Sequence, residues 1–185
     1  FKLEEATKVS DSYVASSMLN AGYVMFDTKI MEKFRMVGGV RAESYHQRFN
    51  YTEAGSNVDR QIDTTVIDLL PSMNLIYSLN KRMQVRLSYY RTVSRPEFRE
   101  LAPFAFYNFA LDNILSGNPN LKRAVIDNLD ARYEFFIGNG QLFTVSAFYK
   151  NFTNPIELVS RTGVSGAAEL YYTNVPSATN YGIET

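Results

Sequence analysis

One stretch gathers residues that could hold a ligand: SRPEFRELAPFAFYNFALDN, from Ser94 to Asn113. Phe104, Phe106, Tyr107 and Phe109 follow neither a strand nor a helix period, so no regular element hides all four. Each covers about 150–250 Å² when buried. Arg95, Arg99, Asn108 and Asp112 are interspersed with them. Apolar surface with a few placed polar groups is the make-up of a small-molecule site. It is equally the make-up of a loop with its own core. Packing is expected as the main role, with direct ligand contact by one or two of these residues. A second set lies in IDNLDARYEFFIG, where Asn128, Asp130, Arg132 and Glu134 occupy every second position. With Arg41 and Arg86 they could line a polar path, or simply wet the interior of a barrel.

Catalytic chemistry has little to work with. The chain holds one histidine, His46, and no cysteine. This removes thiolate chemistry and any histidine-rich metal site, and no metal or cofactor is expected. A serine hydrolase would need His46, and no G-x-S-x-G turn is present. GVSGAAE at 163–169 lacks the strand-to-helix context of a phosphate cradle. Asp112-Asn113 could ligate calcium, but a turn or helix cap explains the pair as well. No enzyme is expected.

The bulk numbers narrow the partners. The 185 residues carry 19 basic and 19 acidic side chains, net zero, so no basic surface calls for nucleic acid. No run of about 18 apolar residues exists to form a membrane-crossing helix. Thirteen Tyr and thirteen Phe favour β structure.

The pattern is strand after strand. Around the Asn128 row, Leu129, Ala131, Tyr133, Phe135 and Ile137 form the opposite, apolar face. GNGQ at 138–141 turns the chain, and LFTVSAFYKNF alternates back with Phe143, Val145, Ala147 and Tyr149. The same unit occurs upstream. Met73, Leu75, Tyr77 and Leu79 share one face, a turn follows at 80–83, and Val85, Leu87 and Tyr89 return. A third copy runs from about Tyr13 to Asp27, turns at 28–33, and continues with Phe34, Met36, Val40 and Ala42. A seventh strand is expected from near Tyr171.

Short turns at 28–33, 80–83 and 138–141 alternate with long connections at roughly 52–64, 95–124 and 153–170. That alternation predicts an all-β fold: a segment of an antiparallel transmembrane β-barrel, with short periplasmic turns and long extracellular loops. The competing architecture is a soluble aromatic-rich β-sandwich that binds glycan or protein. Two features strain the barrel. The Phe34 face continues as Ser44, His46 and Arg48, which is read as a strand rising above the bilayer. Pro71 falls inside a strand and is read as a bulge near the top of the span. Pro96 should end the ladder and open a helical turn over Glu97–Leu101. Seven is an odd count, and bacterial barrels have even ones, so a stretch of a larger barrel is expected.

Several phrases then resemble the barrel region of TonB-dependent outer-membrane receptors, most closely a Bacteroidetes-like branch. They are GVRAE at 39–43, LLPSMNLIYSLNKRMQVRLSYYRT at 69–92, SRPEFRELAPF at 94–104, GNPNLK at 117–122, DNLDARYE at 127–134, SAFYKNFTNPIE at 146–157 and TNVPSATNYGIE at 173–184. The resemblance implies uptake of a scarce nutrient across the outer membrane of a Gram-negative bacterium: an iron chelate, haem, cobalamin, glycan or peptide. It implies a plug domain inside a 22-stranded barrel and energy from the TonB complex, with residues 1–185 supplying part of the barrel alone. Outer-membrane lipid is the implied surroundings, and a surface lipoprotein partner stays open.

Overall fold

The computed structural model describes residues 12–53, 58–108, 113–138, 140–162 and 168–185. Among these described residues, eleven strands and one helical turn follow one another. They are β1 (Tyr13–Met31), β2 (Phe34–Thr52), β3 (Asp59–Asn80), β4 (Met83–Ser94), α1 (Phe98–Leu101), β5 (Ala105–Asn108), β6 (Asn113–Ser116), β7 (Ala124–Gly138), β8 (Gln141–Thr153), β9 (Ile156–Thr162), β10 (Ala168–Asn174) and β11 (Ser177–Glu184). Seven form one antiparallel wall in the order β1-β2-β3-β4-β7-β8-β11; β5, β6, β10 and β9 form a second, four-stranded sheet.

Cross-strand register makes the two faces of the wall continuous. Val85 lies opposite Tyr133, which lies opposite Val145; Leu87, Ala131, Ala147 and Ile183 form the next row; Tyr89, Leu129, Tyr149 and Tyr181 the next. These rows point outward and nothing described covers them: Leu129 is 53% and Tyr181 76% exposed. A sandwich would bury such a face against a second sheet; a barrel wall turns it to lipid. One row higher the outward residues become Arg91, Asp127, Asn151 and Thr179. Arg91 donates to Asp127 at 2.8 Å, and the Tyr89 hydroxyl donates to the same carboxylate at 2.8 Å. Tyrosines below an ion-paired row are what an interfacial girdle looks like.

On β2 and β3 the apolar outward run ends in the same manner. His46 and Arg48 both meet Asp63, at 3.1 and 3.0 Å, on the outer surface. The rise above the bilayer read from Ser44, His46 and Arg48 matches this geometry. β1 to β3, with 19, 19 and 22 residues, exceed the about 9–11 that span a bilayer.

The structure corrects several boundaries. The connection expected at 52–64 shrinks to 53–58, because β2 runs to Thr52 and β3 begins at Asp59. The stretches 95–124 and 153–170 are not plain loops: they contribute α1 and most of the second sheet. Tyr171 belongs to β10 in that sheet, and the last wall strand begins at Ser177. Pro71 sits in no bulge, for the β2–β3 register runs straight through Val40 opposite Pro71. Instead the β3–β4 ladder stops beside it, at Ser72 opposite Tyr90. A residue without an N–H marks where one ladder ends. Pro96 ends β4 as expected, yet it stands outside the helix. Glu97 is the N-cap, and its N–H donates to the Glu100 carboxylate at 2.9 Å. The β7–β8 turn uses Gly138 and Gly140 at φ 117° and 78°, the region where glycine has no Cβ penalty.

Candidate functional site

The residues after Pro96 fold down onto the inward face of the wall's upper part. Phe49 of β2 is fully buried there, together with Leu101 and Ala102; Ala15, Tyr51, Ile62, Phe98, Phe104 and Leu121 close around them. The Phe104 ring stacks on Tyr13 at 6.2 Å, and Phe98 lies parallel to Phe49 at 6.3 Å. Burying these rings is what holds the connection against the barrel.

The turn after β6 locks this arrangement. Gly117 donates to the Ala102 carbonyl at 3.1 Å, and Asn118 to that of Glu100 at 2.6 Å. A Cβ on Gly117 would lie 2.3 Å from the Ala102 oxygen. Backbone cannot step aside there, so glycine is required by space. Gly117→Ala should therefore loosen the cap without touching the wall. The measurement is limited proteolysis of the full-length protein: faster cleavage within 95–124 at unchanged barrel melting is the expected result.

Asparagines join this connection to the next one. The Asn118 amide donates to the Tyr172 carbonyl at 3.2 Å. The Asn174 amide donates to the carbonyls of Lys122 and Asn154 at 2.9 and 2.8 Å, while its oxygen accepts from the Lys122 N–H at 2.7 Å. β6 and β10 pair in parallel through Leu115 opposite Leu170. Two extracellular connections thus make one cap.

Charges anchor the cap to the wall. Arg95, immediately after β4, reaches Glu43 at 2.7 Å and Asp68 at 2.8 Å. Arg123, immediately before β7, takes the other Asp68 oxygen at 2.5 Å, and Arg41 the other Glu43 oxygen at 2.7 Å. The result is an alternating row: Arg41, Glu43, Arg95, Asp68, Arg123. Glu43 and Asp68 are buried, and the Arg95 guanidinium also lies 4.8 Å over the Tyr45 ring. Glu43, Asp68 and Arg123 were not singled out in the sequence. Two carboxylates at opposed positions on neighbouring strands, near a lone Arg-Pro, are the signal that could have found them.

The candidate ligand residues do not converge on one point. Arg95 is engaged with the wall. Arg99 stacks over Phe106 at 4.0 Å. Phe104 lies in the buried cluster, while Tyr107 is exposed on β5 and Asn108 stands opposite Asn113. Phe109 and Asp112 fall outside the described residues. Of the polar-path candidates, Arg86, Asn128, Asp130, Arg132 and Glu134 share the inward face of β4 and β7, and Arg41 that of β2. Arg86 faces Arg132 directly, a like-charge pair that would repel on its own. Glu134 relieves it by accepting from Arg86 at 3.1 Å and from the Gln84 amide. Asn128 donates to the carbonyls of Tyr90 and Ile126, both at 3.2 Å.

This wall and cap match known structures. The siderophore receptor PirA from Pseudomonas aeruginosa aligns over 93% of this chain and 39% of its own length, with a TM-score of 0.59 at 16% identity. The ferric-catecholate import receptor Fiu from Escherichia coli K12 aligns over 92% and 26%, at 0.58 and 14%. The FrpB iron transporter from Neisseria meningitidis aligns over 91% and 23%, at 0.59 and 15%. The chain therefore spans well under half the length of these receptors, and the likeness is one of fold. No curated protein matches the sequence. A family model for outer-membrane β-barrel proteins covers residues 4–185, nearly the whole chain and the whole wall just described. The chain belongs to the outer membrane protein beta-barrel family, and its place is the outer membrane of a Gram-negative bacterium.

Proposed function

We propose that residues 1–185 form seven wall strands and a two-loop cap in the barrel of a TonB-dependent receptor. Such a receptor takes up a scarce nutrient, with an iron chelate as the first ligand class to test. The observation that carries the reading is the combination of faces. A lipid-facing apolar band, a polar inward face and a folded cap at one end align with most of this length in barrels named as siderophore receptors and an iron transporter. In this reading the plug and the TonB contact lie outside these residues, and the inward row Arg86, Asn128, Asp130, Arg132 and Glu134 faces the plug or the solute path. Tyr107, exposed on the cap, is the described aromatic best placed to touch ligand; Arg99, Phe106, Asn108, Phe109 and Asp112 are its candidate neighbours.

The test is uptake of radio-iron chelates by iron-starved cells carrying or lacking the full-length gene, with and without a protonophore. Uptake that needs the gene and collapses with the proton-motive force is expected. Gene-independent uptake of every chelate offered, or uptake indifferent to the protonophore, would overturn the assignment.

A further inference from the structure

Above Ser72 and Tyr90 the wall forks. β3 continues to Asp59 paired only with β2, and β4 continues to Ser94 paired only with β7. No backbone ladder joins the two halves over that height. A cleft of about 420 Å³ opens at the fork, within the range that holds a small molecule. Its lining is telling. Gln47 and Val66 belong to the inward face, because they continue the alternation of Glu43 and Asp68. Val125 belongs to the outward face, in the row of Val93 above Arg91 and Asp127. The cleft is thus lined mainly from the inward face and the cap, with Val125 at its edge drawn from the outward face.

The charges around the fork are unbalanced. Arg41, Arg95 and Arg123 share two carboxylates, Glu43 and Asp68. Lys122 also lines the cleft, and its ammonium has no acidic partner among the described residues. Of the residues that line the cleft itself, Arg95, Lys122 and Arg123 are basic and none is acidic. Low-dielectric walls focus such an excess and raise the local concentration of counter-charged solutes.

We propose that this fork is a side port through the extracellular rim of the wall, admitting small organic anions of the carboxylate or sulfonate class in preference to cations. The Glu43–Arg95–Asp68–Arg123 row is its lower sill, bridging the halves by side chains where the ladder has ended. The port is independent of what the whole receptor transports, since passive entry requires no energy source.

The chain contains no cysteine, so an introduced one reports alone within it. Val66→Cys places a thiol on the inward side of the port, in full-length protein whose other cysteines, if any, are replaced. Intact cells are exposed to a small sulfonate thiol reagent and to a trimethylammonium thiol reagent of similar size. Asn120→Cys, exposed on the cap, corrects for the reagents' intrinsic rates. The sulfonate should modify Val66→Cys about tenfold faster than the cation after that correction. Adding Lys122→Glu should erase or invert the preference, and adding Val125→Phe should slow both reagents by narrowing the outward mouth. Barrel melting of each variant confirms folding before labelling. Failure to label Val66→Cys, equal rates for the two reagents, or rates indifferent to both Lys122→Glu and Val125→Phe would each overturn the port. None of these readouts involves iron uptake, so a port without transport and transport without a port remain distinguishable.

Discussion

Asp68→Ala is expected to cost the folded barrel about 3–5 kcal/mol, the range for removing one partner of a buried ion pair. Both oxygens of Asp68 are in use, one by Arg95 and one by Arg123, and its side chain is only 3% exposed. Without it Arg123 loses its carboxylate and Arg95 keeps only Glu43. The loss falls where the backbone gives least support, since β3 and β4 share no ladder above Ser72. Asp63 is the matched comparison. It too binds two basic residues, His46 and Arg48, but on the outer surface and 41% exposed. Exposed pairs contribute about 0–1 kcal/mol, so Asp63→Ala should shift stability by that much at most. Denaturant titration of the two variants in the same detergent separates the cases. A double-mutant cycle of Asp68→Ala with Arg95→Met should recover part of the loss, because one of the two guanidiniums that Asp68 held is then gone and only Arg123 is left without its carboxylate. Equal small costs at Asp68 and Asp63 would show that the buried row does not hold the fork together.

The sequence disclosed the wall far better than the cap, for a physical reason. Inside the bilayer one face must be apolar and the other polar, so β7 and β8 alternate cleanly and their positions could be read almost to the residue. Above the bilayer both faces meet water and the alternation fades. DRQIDTTVID, the upper part of β3, reads as polar loop, so the sequence predicts a longer connection at 52–64 than the one that ends at Asp59. The cap was harder still. β5 and β6 have four residues each, too short for a period to show. β6 finds its other partner, β10, about fifty residues later in a parallel pairing that no local pattern announces. YYTN, followed closely by ATNYGIE, looks like one alternating run and so predicts a wall strand at Tyr171; Pro176 in fact separates two strands in different sheets. Of the aromatics of 95–124 expected to need burial, Phe104 is packed, Tyr107 is exposed and Phe109 lies outside the described residues. What covers Phe104 is Tyr13 and the Phe49 cluster, contributed by strands some fifty to ninety residues upstream. Residue type alone cannot separate Arg95, committed to two carboxylates, from Arg99, lying over Phe106 of the cap.

Val145→Arg should destabilise the protein by about 2–4 kcal/mol, while Thr144→Arg, one residue away, should cost little. Val145 stands in the outward row with Val85 and Tyr133. Rows of apolar residues lie above and below it, from Phe135 and Phe143 up to Tyr89, Leu129, Tyr149 and Tyr181. A guanidinium there must reach several residues along the strand to find the Arg91–Asp127 row and water, so it pays most of the cost of a charge near the midplane. Thr144 points to the other face, directly opposite Glu134. An arginine at 144 would enter a polar interior beside a carboxylate that already accepts from Arg86 and Gln84. The two variants share a strand, a substituted residue and a change of net charge, so only the direction of the side chain differs. Unfolding free energies measured in lipid vesicles, where the bilayer itself supplies the penalty, give the comparison directly. A large cost at 145 alone is what a membrane wall requires. Equal costs at both positions would mean that the apolar face of β8 does not look onto lipid, and the outward rows from Phe143 to Tyr181 would then need another cover.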